Sequence, residues 1–171
     1  MSAIPTENEI VMKENDFIVS KTNPSGVITY CNEIFMEMAG YREEELIGRN
    51  HNIIRHPHMP KAAFKLAWEL IQEGKEFFGF VKNATKLGAY YWVFANITPD
   101  YDEQRNIIGY TSVRRKPKAQ ALEIIVPLYQ KMLEIERNQG IKASYEYLLN
   151  VLEENNTTYN ALILSLQGEH V

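Results

Sequence analysis

The sequence predicts an α+β chain: a five-stranded antiparallel sheet with short helices, plus a C-terminal helical extension. Three observations predict it. Strong turn chemistry at Asn23-Pro24-Ser25-Gly26 joins two short strand-like runs, "DFIVSKTN" and "GVITYCN". Three runs rich in aromatic and β-branched residues, "EFFGFVKN", "AYYWVFANITPDY" and "NIIGYTSVRR", are parted only by short polar turns. After Lys116-Pro117 only helical spacing of apolar residues remains.

The elements follow in order. Residues 6–14 read as a short helix or a loose arm. The first hairpin leads into "NEIFMEMAGY", where Ile34, Phe35 and Met38 have helical spacing and Gly40 stops the run. "REEELIG" adds about one more helical turn, ended by Gly48. The best helix of the first half lies in "MPKAAFKLAWELIQEGK". Pro60 suits its first turn, Ala63, Ala67, Leu70 and Ile71 share a face, and Gly74 ends it. The three aromatic strands complete the sheet. Beyond them, Leu122, Ile125, Val126, Tyr129, Met132 and Leu133 form one stripe, in which Pro127 predicts a kink or restart. Two further stripes centre on Leu148 and Leu152, then on Leu162 and Ile163. The division expected is an arm at 1–14, a domain at 15–116 and a helical region at 117–171.

Composition narrows the function. The 171 residues are 45% hydrophobic and 23% charged, ordinary for a globular chain with a real core. A net charge of −4 implies no general attraction to nucleic acid. No apolar run approaches the roughly 20 residues of a membrane span, and the N-terminus lacks the basic and apolar regions of a signal peptide. The single cysteine, Cys31, can form no internal disulfide. A soluble cytoplasmic protein is expected.

Three of the four histidines lie in "NHNIIRHPHMPKAAF", residues 50–64. Arg55 and His56 stand there just before a helix start. An arginine fork, a neighbouring imidazole and the positive end of a helix together suit a pyrophosphate. The bland alternative is a solvated loop. A zinc site would need His51, His56 and His58 as ligands, and no cysteine or carboxylate stands beside them at zinc spacing, so none is expected.

The strand and helix order, with "NEIFMEMAGYREEELIGRN", resembles a PAS domain of run N-x-x-F-x-x-x-x-G-Y-x-x-x-E-L-x-G. "NIIRHPHMPKAAF", "VKNATKLGAYYWVFANITP" and "IIGYTSVR" are similar to the bacterial aerotaxis-receptor branch of that family. The resemblance covers roughly residues 15–116. It implies flavin adenine dinucleotide (FAD) as cofactor, with the mononucleotide (FMN) a lesser choice. It also implies a report of redox state to the chemotaxis machinery. With no membrane span, the chain resembles stand-alone energy-taxis proteins that pair with a separate membrane-bound transducer.

By this resemblance Arg55, His56 and His58 belong to the cofactor site, although the family usually has aspartate where His58 stands. Asn83 and Tyr91 match positions facing the flavin. An amide carries both a donor and an acceptor, as the edge of an isoalloxazine ring does. Their alternatives are a turn former and a core aromatic. Asn32 matches another pocket position, with a helix N-cap as its alternative. Phe77 stands where aerotaxis sensors commonly have tryptophan. Trp68 and Trp92 read as core. Heme, which some PAS domains hold through a histidine on the long helix, is not expected, because residues 60–73 contain none. Flavin-cysteinyl photochemistry is excluded, because Cys31 closes the second strand instead of lying on a short helix.

The function expected is a flavin redox or oxygen sensor, not an enzyme. The alternative is a cofactor-free PAS module for dimerisation or docking. Residues 118–167 are expected either to meet a transducer or a second copy, or to fold back as a three-helix cap.

Overall fold

The computed structural model of the chain describes residues 3–169. Five strands form one antiparallel sheet in the order β2-β1-β5-β4-β3. They are β1 (Ile18–Thr22), β2 (Ile28–Cys31), β3 (Phe77–Ala84), β4 (Tyr90–Tyr101) and β5 (Ile107–Arg115). Between β2 and β3 lie α1 (Glu33–Ala39), α2 (Glu43–Leu46), a 3₁₀ turn (His51–Ile54) and α3 (Lys61–Gln72). After β5 come α4 (Ala119–Gln139), α5 (Ile141–Glu154) and α6 (Tyr159–Gln167). Among the described residues no helix is long and apolar enough to cross a membrane.

Local chemistry accounts for the hairpin. Asn23 Oδ1 accepts from the backbone N–H of Ser25 and of Val27, both at 3.0 Å, and Gly26 takes a left-handed φ of 81°. The helix expected within "MPKAAFKLAWELIQEGK" forms as α3, with Pro60 at its N-cap rather than in its first turn. α4 continues through Pro127 without a restart.

The N-terminal arm is extended and docked. The register between β4 and β5 begins at Phe94 opposite Arg115, which leaves the first residues of β4 without a partner on that side. The arm fills the gap: Tyr90 N–H donates to Asn8 O at 2.9 Å, and Ile10 N–H to Tyr90 O at 2.8 Å. Met12 then plugs the core at 2% exposure.

Strand alternation sorts the two faces of the sheet. Val81, Asn83 and Ala95 look toward α3. Phe80, Trp92 and Phe94 look the other way, where α4 covers them and the Trp92 ring stacks on Tyr129 at 6.2 Å. The C-terminal helices also seal the open edge of β3. Asn160 accepts from Phe78 N–H at 2.9 Å and donates to Glu76 O at 2.8 Å. The Tyr129 hydroxyl donates to Phe80 O at 2.7 Å, and Lys82 N–H finds Met59 Sδ at 3.3 Å. An exposed strand edge invites pairing with other chains, and here side chains occupy it. Of the two expectations for residues 118–167, the folded-back cap describes how these helices lie.

A candidate binding cavity between the sheet and the third helix

A cavity of about 300 Å³ lies between the inner face of the sheet and α3. That volume is at the lower end of the range for small-molecule sites. Alternation delivers its floor: Val81 and Asn83 from β3, Ala95 and Ile97 from β4, Ser112 and Arg114 from β5. Helical spacing delivers its roof, since Phe64, Ala67, Trp68 and Ile71 fall at i, i+3, i+4 and i+7. Gly26 closes one end. A Cβ there would crowd the Trp68 ring at 3.3 Å, and the left-handed φ of 81° also favours glycine where the hairpin approaches. The 3₁₀ turn and the residue after it bring His51 and Arg55 to the wall.

The polar groups concentrate on one side. Arg114 is only 3% exposed. Its Nη2 donates to Ser20 Oγ, and its Nη1 lies 3.2 Å from His51 Nε2. Ser20 Oγ is 3.0 Å from the same nitrogen. A guanidinium can only donate, so Nε2 is the acceptor and His51 is neutral, with its proton on Nδ1. Burial, reinforced by the Arg114 charge, holds the His51 pKa down to about 3. The face of Arg114 rests over the Phe35 ring at 4.8 Å, and its Nε has no hydrogen-bond partner. Burial lowers its pKa to about 10. Among the described residues no carboxylate pairs with it.

Of the residues singled out in the sequence, two line this cavity. Asn83 is 3% exposed and its Nδ2 is unpartnered. Arg55 is exposed at the mouth, stacks its guanidinium 3.9 Å above the Phe64 ring centroid, and joins its backbone to Asn83 through an isolated antiparallel bridge. Tyr91 is paired directly across from Asn83 and is fully buried; its hydroxyl makes no well-formed hydrogen bond, and burial pushes its pKa up to about 12 against the opposing pull of the Arg114 charge and the neighbouring Asn83 amide.

Like Tyr91, the other four candidates, Asn32, Phe77, His56 and His58, are not among the lining residues. Asn32 caps α1: Oδ1 accepts from Phe35 N–H and Val19 N–H, and Nδ2 donates to Phe17 O. Phe77 stacks on Tyr159 of α6 at 5.6 Å. His56 is 1% exposed and turns away from the cavity toward Tyr90; its Nδ1 accepts from His58 N–H at 3.0 Å. Burial, with Lys82 and His58 adding to it, holds the His56 pKa down to about 4. His58 lines a separate cleft against α4. The start of α3, expected to offer its positive end to a phosphate, is occupied by the chain itself. Glu136 of α4 accepts from Lys61 N–H at 2.9 Å and Ala62 N–H at 3.0 Å. Among the described residues no group of three or more His, Cys, Asp or Glu could hold a metal ion.

His51 and Trp68, which the sequence reading set aside, and Arg114, which it did not single out, belong to the wall. Strand parity could have found Arg114. It follows Tyr110 and Ser112 on one face of "IIGYTSVRR".

A family model described as the PAS fold matches residues 28–114. The aerotaxis receptor of Escherichia coli (strain K12) is 37% identical over 77% of this chain and 26% of its own length. Phototropin-2 of Oryza sativa subsp. japonica is 29% identical over 59% of this chain and 11% of its own length. The chain thus spans about a quarter or less of these two relatives. Among solved structures, a light-oxygen-voltage domain studied with a flavin analogue superposes with a TM-score of 0.57 at 22% identity, covering 67% of this chain and 86% of that one. Sheet, inserted helices and matched residues agree, and the chain belongs to the PAS family.

Proposed function

We propose that the chain is a flavin-binding redox or oxygen sensor of the energy-taxis kind. It signals by contact with the cytoplasmic region of a membrane-bound chemotaxis transducer, as a monomer or a homodimer, and it is a sensor rather than an enzyme. The observation that carries this reading is the mostly apolar cavity lined by the buried Asn83, whose Nδ2 makes no well-formed hydrogen bond. A buried amide without a partner costs about 1–3 kcal/mol, which a ring with polar atoms along one edge would offset. The flavin supplies reversible electron uptake. FAD is proposed over the mononucleotide, as the resemblance carried by "NIIRHPHMPKAAF" implies.

Each residue then has a task. Asn83 offers Nδ2 to the ring edge, and the packing of Tyr91 behind it fixes the direction of the amide. Arg55, held at the mouth by its stack on Phe64, offers donors to phosphate. Apolar side chains from α3 keep water from the ring. β3 also carries the output, because its inward positions include Asn83 while its outward backbone groups bond to Tyr129 and Asn160. A change of hydrogen bonding at Asn83 is thereby felt by the C-terminal helices through a single strand. The organisation proposed is a docked arm at 1–14, a sensor domain at 15–116 and an output region at 117–171, in a cytoplasmic protein.

The test is the absorption spectrum of freshly purified protein, followed by denaturation and chromatography of the supernatant. A flavin spectrum with released FAD supports the reading. Release of FMN overturns the adenine part only. Colourless protein that takes up no added flavin overturns the reading in favour of a cofactor-free docking module.

A further inference from the structure

We infer that Arg114 is a ligand-binding residue of the cavity. Its guanidinium holds the electron-rich carbonyl edge of the bound ring, with Ser20 and His51 as its positioning residues. The inference rests on the flavin reading above. It adds a ring contact that the sequence motifs did not point to.

The argument begins from the charge. A cation taken out of water costs several kcal/mol unless it is paired. Arg114 is 3% exposed, and its hydrogen-bonding neighbours, Ser20 and His51, are both neutral. Among the described residues it makes no ion pair, and Nε is left open. Arg114 is also one of the residues that line the cavity. A protein gains nothing from such a group in an empty core. In a site that receives acceptor atoms, the same group supplies donors in a fixed direction.

The geometry also explains the neutral histidine. His51 Nε2 takes hydrogen bonds from both Ser20 and Arg114, so the ring acts as a passive acceptor that aims the guanidinium. A protonated His51 would repel it. The groups facing Arg114 from each packed element are therefore Ser20 on β1, His51 on the 3₁₀ turn, Phe35 on α1 and Tyr91 on β4, and none carries a negative charge. Opposite charge has to come from the ligand.

Arg55 and Arg114 thus divide the ligand between them. Arg55 stands at the mouth, where a phosphate-bearing tail would leave. Arg114 stands in the wall, where only the ring can reach. This division can be measured with ring-only and full-length ligands. Flavin is removed from the full chain, and riboflavin and FAD are titrated separately against wild type, Arg114→Met, Arg114→Lys and Arg55→Ala. Methionine matches the length of the arginine stem, and loss of a buried unpaired cation does not threaten folding.

The expected result is that Arg114→Met weakens riboflavin and FAD by the same factor, about ten- to a hundred-fold. Arg114→Lys recovers part of that loss, and Arg55→Ala weakens FAD alone. Riboflavin binding by Arg114→Met at wild-type affinity overturns the inference and leaves the flavin reading standing. So does a loss confined to FAD, which would place Arg114 on the phosphates. Wild-type protein that binds neither ligand overturns both.

Discussion

Replacing Tyr129 with phenylalanine removes one oxygen atom from a buried chain of three groups. The Tyr129 hydroxyl donates to Phe80 O at 2.7 Å and lies 3.0 Å from the Tyr159 hydroxyl. With its own proton on Phe80, it accepts the proton of Tyr159. Tyr129→Phe therefore orphans two buried groups, a backbone carbonyl on the edge of β3 and a hydroxyl on α6. One orphaned buried group costs about 1–3 kcal/mol, so the pair costs about 2 kcal/mol or more after relaxation. For a chain of this size that lowers Tm by about 4–8 °C. Tyr159→Phe is the internal control. It leaves the Phe80 bond intact and costs less, about 1 kcal/mol. The double variant falls short of the sum, because Tyr159 is no longer there to be orphaned. The assay is thermal unfolding followed by near-ultraviolet circular dichroism. If Tyr129→Phe melts within a degree of wild type and matches Tyr159→Phe, the C-terminal helices do not cover this edge in solution, and the proposed output route through β3 fails with them.

Three further outcomes are expected. Glu136→Ala uncaps α3 and detaches α4 from it, costing about 0.5–2 kcal/mol in urea unfolding; an unchanged midpoint would show that the contact is not formed. Asn83→Leu removes an unpartnered amide, so ligand-free protein keeps or gains stability while flavin affinity falls, and calorimetric titration that finds affinity unchanged would free Asn83 of a binding role. Acid should unfold the chain through its buried imidazoles. His56 and His51 stay neutral in the fold down to about pH 4 and pH 3, whereas exposed imidazoles take up a proton near pH 6.5. Their pKa values are thus depressed on folding, so their stabilisation is complete above about pH 6.5 and is lost as pH falls toward 4 and below. His56→Gln should flatten part of that decline in urea midpoints taken between pH 7 and 4, and an identical pH profile would assign the decline to other groups.

What could be read from the sequence was local. The Asn23–Gly26 turn, the stops at Gly40 and Gly74 and the alternation in the aromatic strands are all set by neighbours within a few residues, and all appear as expected. The site was legible only in part, because it depends on which way a side chain turns. Arg55 and His56 are adjacent in a loop without periodicity, so nothing in their order says that one faces the cavity and the other faces Tyr90. Glu136 was beyond reach for another reason. Its partners, the amides of Lys61 and Ala62, lie about 75 positions away in the chain. The pairing is decided by how α4 lies across α3. The two arginines that end β5 point to opposite faces, which strand parity alone separates. Arg115 reaches Glu169 at the surface, while Arg114 is sunk in the wall of the cavity.

The sealing of the β3 edge by side chains has a consequence during synthesis. The strand is complete at Ala84, but Asn160, which answers its Glu76 and Phe78 backbone groups, is added 76 residues later. At about 5–20 residues per second, that delay is about 4–15 s. β4 and β5 close the other side of the strand well before then. Through this interval the Glu76 and Phe78 backbone groups beside "FFGFVKN" stay open, and until α4 is made the Phe80 and Phe94 rings are uncovered as well. Two neighbouring ribosomes on one message would hold such edges close together. The chain should therefore depend on a ribosome-associated chaperone for its yield far more than the stability of the finished fold would suggest.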